Sequence, residues 1–95
     1  MKIGDKEFTP EYNNRTLYQL EEKFGDMPIH VILDSVTDFT LKQMGWLIYF
    51  GIKEKISEEA FVDLINPSQY VACAIECGAA IATSFGIKTE KKKKD

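Results

Sequence analysis

Positions 70–87 form a long, mostly apolar segment in this chain of 95 residues, and lysines follow it at positions 88 and 91–94. A segment of eighteen such residues either spans a bilayer or forms a buried helix. Five of its large apolar side chains contribute together about −1.5 to −3 kcal/mol to membrane insertion. Glu76 lies near the centre and opposes insertion by roughly 2.5 to 3.5 kcal/mol if it resembles aspartate. Insertion is therefore neutral or unfavourable, and we predict a buried central helix without membrane association.

A helix over 67–85 fits this segment, because Pro67 suits a first helical position and Gly86 suits the residue after a helix end. Its apolar surface extends over more than one face. A domain of this size has a small interior, so a partner or a second copy could cover part of that surface, although core packing is the simpler explanation of most individual side chains. With the aromatic residues of an earlier apolar run, this helix supplies the candidate partner-binding residues Trp46, Tyr49, Phe50, Tyr70, Cys73, Cys77 and Ile81.

The first twelve residues predict a small β-hairpin. Ile3 and Phe8 lie on either side of a Gly4-Asp5 turn signal, and Pro10 suggests an exposed edge or the end of the second strand. Two strands alone are marginally stable in water, so this hairpin must pack against helices.

Four further helices are predicted between the hairpin and the long apolar segment, from apolar spacing and from side chains that can cap free backbone N–H groups. The first ends at Gly25, and the third contains an apolar run from Leu41 to its end at Gly51. The predicted N-caps are Asn13 or Asn14, Asp26 with Pro28 in the first turn, Thr40 in a capping box with Gln43, and Ser57. The expected fold is mainly α: a small N-terminal β-hairpin followed by about five helices in one compact domain.

Charge divides the chain into two parts. Residues 1–87 carry 7 basic and 13 acidic side chains, a net charge of −6, whereas residues 88–95 carry five basic and two acidic side chains. We predict one domain over 1–87, with the hairpin at 1–12, and a disordered basic tail over 88–95. Nucleic acid is an unlikely partner because a body with this charge repels phosphate. Cys73 and Cys77 lie four positions apart, a poor geometry for a disulfide within one helix, and no secretory signal opens the chain, so a reducing cytoplasm is expected.

No pattern of catalytic or metal-binding residues stands out. His30 is the only histidine and has no second ligand at metal-binding spacing, so a structural or surface role is expected. Cys73 and Cys77 lack the spacing of a Cys-x-x-Cys motif and are expected to be small buried hydrophobes. The glycines belong to no phosphate-binding pattern. We therefore expect no enzyme activity, no cofactor and no metal.

The order of these motifs resembles the small tail assembly chaperones of long-tailed, siphovirus-type bacteriophages and prophages. The resemblance lies in the segment 8–25, FTPEYNNRTLYQLEEKFG, in the short apolar helix after it, and in TLKQ at 40–43 opening WLIYFG at 46–51. It covers roughly residues 1–86. The departures from the family pattern are Pro10 and the last helix, which is rich in cysteine and alanine.

The resemblance implies a non-enzymatic assembly factor in the cytoplasm of the bacterial host, absent from the mature virion. Such proteins bind the tape-measure protein, keep it soluble, and bring tail-tube subunits to it. Many are also made as a longer sister form by a programmed frameshift, for which the lysine codons of 91–94 are a suitable place. A homo-oligomer is also possible. The alternatives are a small nucleic-acid-binding regulator that uses the basic tail, and a minor structural tail protein.

Overall fold

The computed structural model describes residues 1–86, so the predicted tail lies outside the described residues. Two strands, β1 (Lys2–Ile3) and β2 (Lys6–Glu7), precede all the helices. The helices are α1 (Asn14–Lys23), α2 (Ile29–Asp34), α3 (Leu41–Gly51), α4 (Glu58–Leu64) and α5 (Tyr70–Ser84), with 3-10 turns at Val36–Asp38 and Pro67–Gln69. The expected fold, mainly α with an N-terminal hairpin and five helices, is confirmed.

The hairpin is shorter than the predicted span of 1–12. Its antiparallel strands pair Lys2 with Glu7 and Ile3 with Lys6, and Gly4 occupies the turn at a positive φ of 63°. A side chain at Gly4 would also clash with the backbone oxygen of Leu64 at 2.6 Å. Residues after the hairpin leave it and pair with the chain that follows α3, where Pro10 forms an isolated bridge with Ile52. The hairpin is therefore held against the helices, as expected for so small a sheet.

Three helices begin where their capping residues predict. Asn13 accepts a hydrogen bond from the Thr16 amide at 3.0 Å, and Thr40 accepts one from the Gln43 amide at 3.1 Å. Both helix starts are reciprocal capping boxes, which satisfy two backbone donors that have no partner inside the helix. Ser57 caps α4 through the amide of Ala60.

The predicted cap of α2 is wrong. Asp26 adopts a left-handed backbone with a φ of 64°, directly after Gly25 at 70°, and the residue at the N-cap position is Pro28. The Ile29 amide at the start of α2 instead donates to a carboxylate oxygen of Glu21, a residue of α1, at 2.9 Å. A side chain from the preceding helix thus replaces the local cap.

The long C-terminal helix begins one turn later than predicted, because Pro67–Gln69 forms a 3-10 turn before α5. Its end is as expected, with Gly86 at a positive φ of 75°. The core lies where α5 and α1 pack against α3. Fully buried side chains from these helices and their neighbours fill it, including Leu20, Ile32, Leu47, Ile48, Phe61, Cys77 and Ile81.

Candidate protein-binding surface

An open cleft runs between α3 and α4 and is mostly apolar. We call it the α3–α4 groove; its volume is about 500 Å³, within the range of ligand and peptide sites. The side chains of Leu41 and Val62 are 57% and 55% exposed, and both line this one cleft, so they form part of a continuous apolar patch. The lining residues are Lys23, Leu41, Lys42, Gly45, Trp46, Tyr49, Glu58, Phe61, Val62 and Tyr70.

Aromatic packing behind the groove holds its walls in place. Trp46 lies edge-on against Phe24, with ring centroids 5.6 Å apart, and Phe24 in turn packs on Phe39 at 5.0 Å. Tyr49 packs on Phe61 at 5.6 Å, and its hydroxyl donates to the backbone oxygen of Ile56 at 2.8 Å. Because these rings are fixed by neighbours in the core, the groove is formed before any partner arrives.

The edge of the groove carries more positive than negative charge. Lys23 places its Nζ atom 5.0 Å from the centroid of the Trp46 ring, a cation–π contact, and Lys42 lies one residue beyond Leu41. Glu58, at the start of α4, is the acidic residue among the lining side chains. This balance is opposite to that of residues 1–87 as a whole, which have a net charge of −6.

A second apolar cleft lies between α2 and α5, with a volume of about 430 Å³. Ile75, 52% exposed, stands beside Gly78 and Ala79 on the α5 side. His30 is exposed at the edge of this cleft, which fits the expected surface histidine.

The seven predicted partner-binding residues fall into two groups. Trp46 and Tyr49 are half-buried and line the α3–α4 groove with the ring of buried Tyr70, while Phe50 lies half-buried beside a shallow depression lined by α1. Cys73, Cys77 and Ile81 are buried inside the chain's own core. A partner that docks on the folded chain can therefore reach the first group, and the prediction of a partner surface is best placed there.

The exposed aliphatic residues beside these clefts were not among the predicted residues. Leu41 directly follows the Thr40 cap, and Val62 directly follows buried Phe61. In a helix, neighbours in sequence point to different faces, but adjacent residues such as Leu47 and Ile48 are both buried. The sequence alone therefore gives no clear signal that Leu41 and Val62 are exposed.

Burial keeps both thiols protonated. It raises the pKa of Cys77 to about 12 and also raises that of Cys73. Burial likewise raises the pKa of Tyr12, whose hydroxyl donates to the backbone oxygen of Leu47. Since the thiolate is the reactive form of cysteine, both residues act at neutral pH as small packing groups.

Residues 1–86 contain no cluster of three or more histidine, cysteine or acidic side chains placed to hold a metal ion. Within the same residues, no helix combines the length and apolar character needed to cross a membrane.

Comparison of the chain with protein-family models, with curated proteins and with solved structures found no match.

Proposed function

We propose that this protein is a phage tail assembly chaperone, a non-enzymatic factor that binds the tape-measure protein and tail-tube subunits in the host cytoplasm and leaves before the virion is complete. The observation that supports the proposal most directly is the preformed α3–α4 groove, with Leu41 and Val62 exposed at its edge. An exposed apolar groove with fixed walls is the kind of surface that binds the apolar face of another chain.

The charge of the chain supports the same role. A protein that holds an aggregation-prone client must keep the complex dissolved, and residues 1–87 have a net charge of −6. The apolar groove then supplies affinity, while the acidic surface away from it supplies repulsion between complexes.

Co-expression with the tape-measure protein of the same phage or prophage tests the proposal. The variant Leu41→Asp/Val62→Asp places two charges in the groove and is expected to shift the tape-measure protein into the insoluble fraction. Tyr18→Asp is the matched control, because Tyr18 is 73% exposed on α1 and does not line the groove. Circular dichroism establishes that each variant is folded. Equal tape-measure solubility with the wild-type chain and the folded double variant would contradict the proposal.

Peptide mass spectrometry of purified particles tests the second part. Peptides of this chain are expected in lysates of infected cells and absent from mature virions. Their presence in virions at stoichiometric levels would instead identify a structural tail protein.

A further inference from the structure

We infer that the α3–α4 groove binds an amphipathic helix whose apolar stripe is flanked by acidic side chains. The inference rests on the proposed function, because it specifies the client segment that the groove would hold. Three observations carry it: a helix-interior glycine that lines the groove, walls made by two helices, and a basic edge on an acidic body.

Gly45 lines the groove at a position where the fold does not require a glycine. A Cβ atom there would lie 3.5 Å from Cε1 of Tyr70 and 3.8 Å from Cε2 of Phe61, both ordinary van der Waals distances. Gly45 lies within α3 and is not among the residues with positive φ, so neither space nor backbone conformation requires glycine. Glycine is less favourable than alanine inside a helix. The fold therefore does not require glycine at this position, and a residue without a side chain leaves more room at the floor of the groove for a side chain of another chain.

The shape of the groove favours a helix as the occupant. Its walls are the exposed side chains of Leu41 on α3 and Val62 on α4, and adjacent helices present ridges between which the side chains of a third helix can pack. The described strands are only two residues long, so β1 and β2 offer little edge for the addition of an extended peptide.

Charge selects the kind of helix. Lys23 and Lys42 are two of the seven basic residues in 1–87, and both line this groove. Within residues 1–86, the salt bridge that the structure contains joins Met1 and Glu7, so neither lysine forms a direct ion pair with an acid of the described chain, and Glu58 is the single acidic residue that lines the groove with them. Acidic side chains beside the apolar stripe of a partner would pair with both lysines, whereas a basic helix would be repelled at this edge.

Trp46 provides a direct readout, since it is the single tryptophan of the chain and lines the groove. The probes are two synthetic helical peptides of about 20 residues without tryptophan. They share one leucine stripe and differ only in the flanking residues, which are glutamate in one and lysine in the other. The glutamate peptide is expected to change Trp46 emission saturably, and the lysine peptide to bind about tenfold more weakly at low salt.

Two pairs of variants distinguish specific binding in the groove from non-specific hydrophobic binding elsewhere on the protein. Gly45→Leu fills the floor and is expected to lower affinity for the glutamate peptide at least tenfold, whereas Gly45→Ala, which fits, retains binding. Lys42→Glu is expected to reverse the preference in favour of the lysine peptide, and Lys6→Glu, an exposed residue of β2, leaves it unchanged. Lys42→Glu alters only an exposed side chain, so it tests the inference even if Gly45→Leu fails to fold.

Three results would overturn the inference. The first is equal binding of both peptides, and the second is a peptide preference that Lys42→Glu does not change. The third is a change in Trp46 emission that depends on protein concentration without peptide, because it would assign the groove to a second copy of the chain.

Failure of the proposed function can be distinguished from failure of this inference. If the peptides show the expected preference but Leu41→Asp/Val62→Asp does not change the solubility of the tape-measure protein, the chaperone role is contradicted and the inferred specificity of the groove is retained. If the double variant no longer keeps the tape-measure protein soluble but both peptides bind equally, the chaperone role is supported and the inferred preference for an acidic helix is contradicted.

Discussion

At the scale of single residues, two glycines of α3 predict opposite effects of one substitution. A Cβ atom at Gly51 would clash with the ring of Tyr12, which is buried and donates a hydrogen bond to the backbone oxygen of Leu47, so the ring has no free space to move into. Gly51→Ala is therefore expected to destabilise the protein by about 1–3 kcal/mol. Gly45→Ala is expected to stabilise it by about 0.5–1 kcal/mol, because its Cβ atom meets only ordinary contacts. Urea unfolding measures both.

The two glycine variants are controls for each other, because both exchange glycine for alanine in one helix. If Gly51→Ala proved as stable as Gly45→Ala, the packing of Tyr12 against α3 would not be as described.

Cys77 predicts a loss of stability at alkaline pH. Burial raises its pKa from 9.0 to about 12, so between these values the folded state holds a proton that the unfolded state has released. The contribution is fully present below pH 9 and declines as pH rises toward 12, with a slope that approaches about 1.4 kcal/mol per pH unit for one proton. Urea unfolding at several pH values between about 8 and 9 measures the start of this decline, below the pKa of about 10 at which unfolded tyrosines, including Tyr12, ionise.

Cys77→Ala is expected to reduce the decline in the free energy of unfolding with rising pH. Cys73→Ala is expected to retain the part of that decline that is due to Cys77. The pKa of Cys73 is also raised by burial, so the double variant should show the smallest slope. An unchanged slope in Cys77→Ala would contradict the assignment.

At the scale of elements, one side chain fastens the hairpin to the start of α5. Gln69 Oε1 accepts hydrogen bonds from the amides of Gly4 at 2.7 Å and Asn66 at 3.0 Å, and its Nε2 donates to the Gly4 carbonyl oxygen at 3.1 Å. Gln69→Ala is expected to lower stability by about 1–2 kcal/mol and to speed hydrogen exchange at the Gly4 amide.

Gln69→Glu is a comparison variant, because a carboxylate keeps both acceptor bonds, loses the donor bond and brings a second oxygen against the Gly4 carbonyl oxygen. It is expected to destabilise the protein at pH 7 and to recover part of the loss at acidic pH, where a protonated carboxyl can donate to that carbonyl oxygen. Protection of the Gly4 amide that survives Gln69→Ala would show that the hairpin is held by other contacts.

The success of sequence-based prediction differed among the elements because their determinants differ in range. The starts of α1, α3 and α4 depend on capping residues within three positions, so a short stretch of sequence contains all the information. The start of α2 depends on Glu21, eight residues before Ile29, and on two successive left-handed residues, which no local pattern specifies.

The candidate surface was predictable only in part for a related reason. The aromatic content of α3 identified Trp46 and Tyr49, which the structure places at the groove. The inward face of α5 could not be chosen from sequence, since this helix is apolar on several sides and only the position of α3 decides that Cys73, Cys77 and Ile81 face the core.

At the scale of the whole molecule, the separation of charge predicts the behaviour of a truncated chain. Removal of residues 88–95 changes the net charge from −3 to −6, so the shortened protein should elute from an anion exchanger at higher salt. If the folded domain is contained in 1–87, the thermal midpoint should stay within about 2 °C of that of the full chain. A large decrease in the midpoint would place part of the fold beyond residue 87.

The attachment of the hairpin to α5 also sets the order in which the protein can assemble. Gly4 and Gln69 are 65 positions apart, and the thiol of Cys73 donates to the backbone oxygen of Lys2 across 71 positions. At ribosomal speeds of about 5–20 residues per second, the hairpin is made roughly 3–14 s before these partners. The hairpin, although synthesised well before α5, is therefore among the last elements to reach its final place, and a nascent chain arrested before α5 would expose it to proteases and to neighbouring chains.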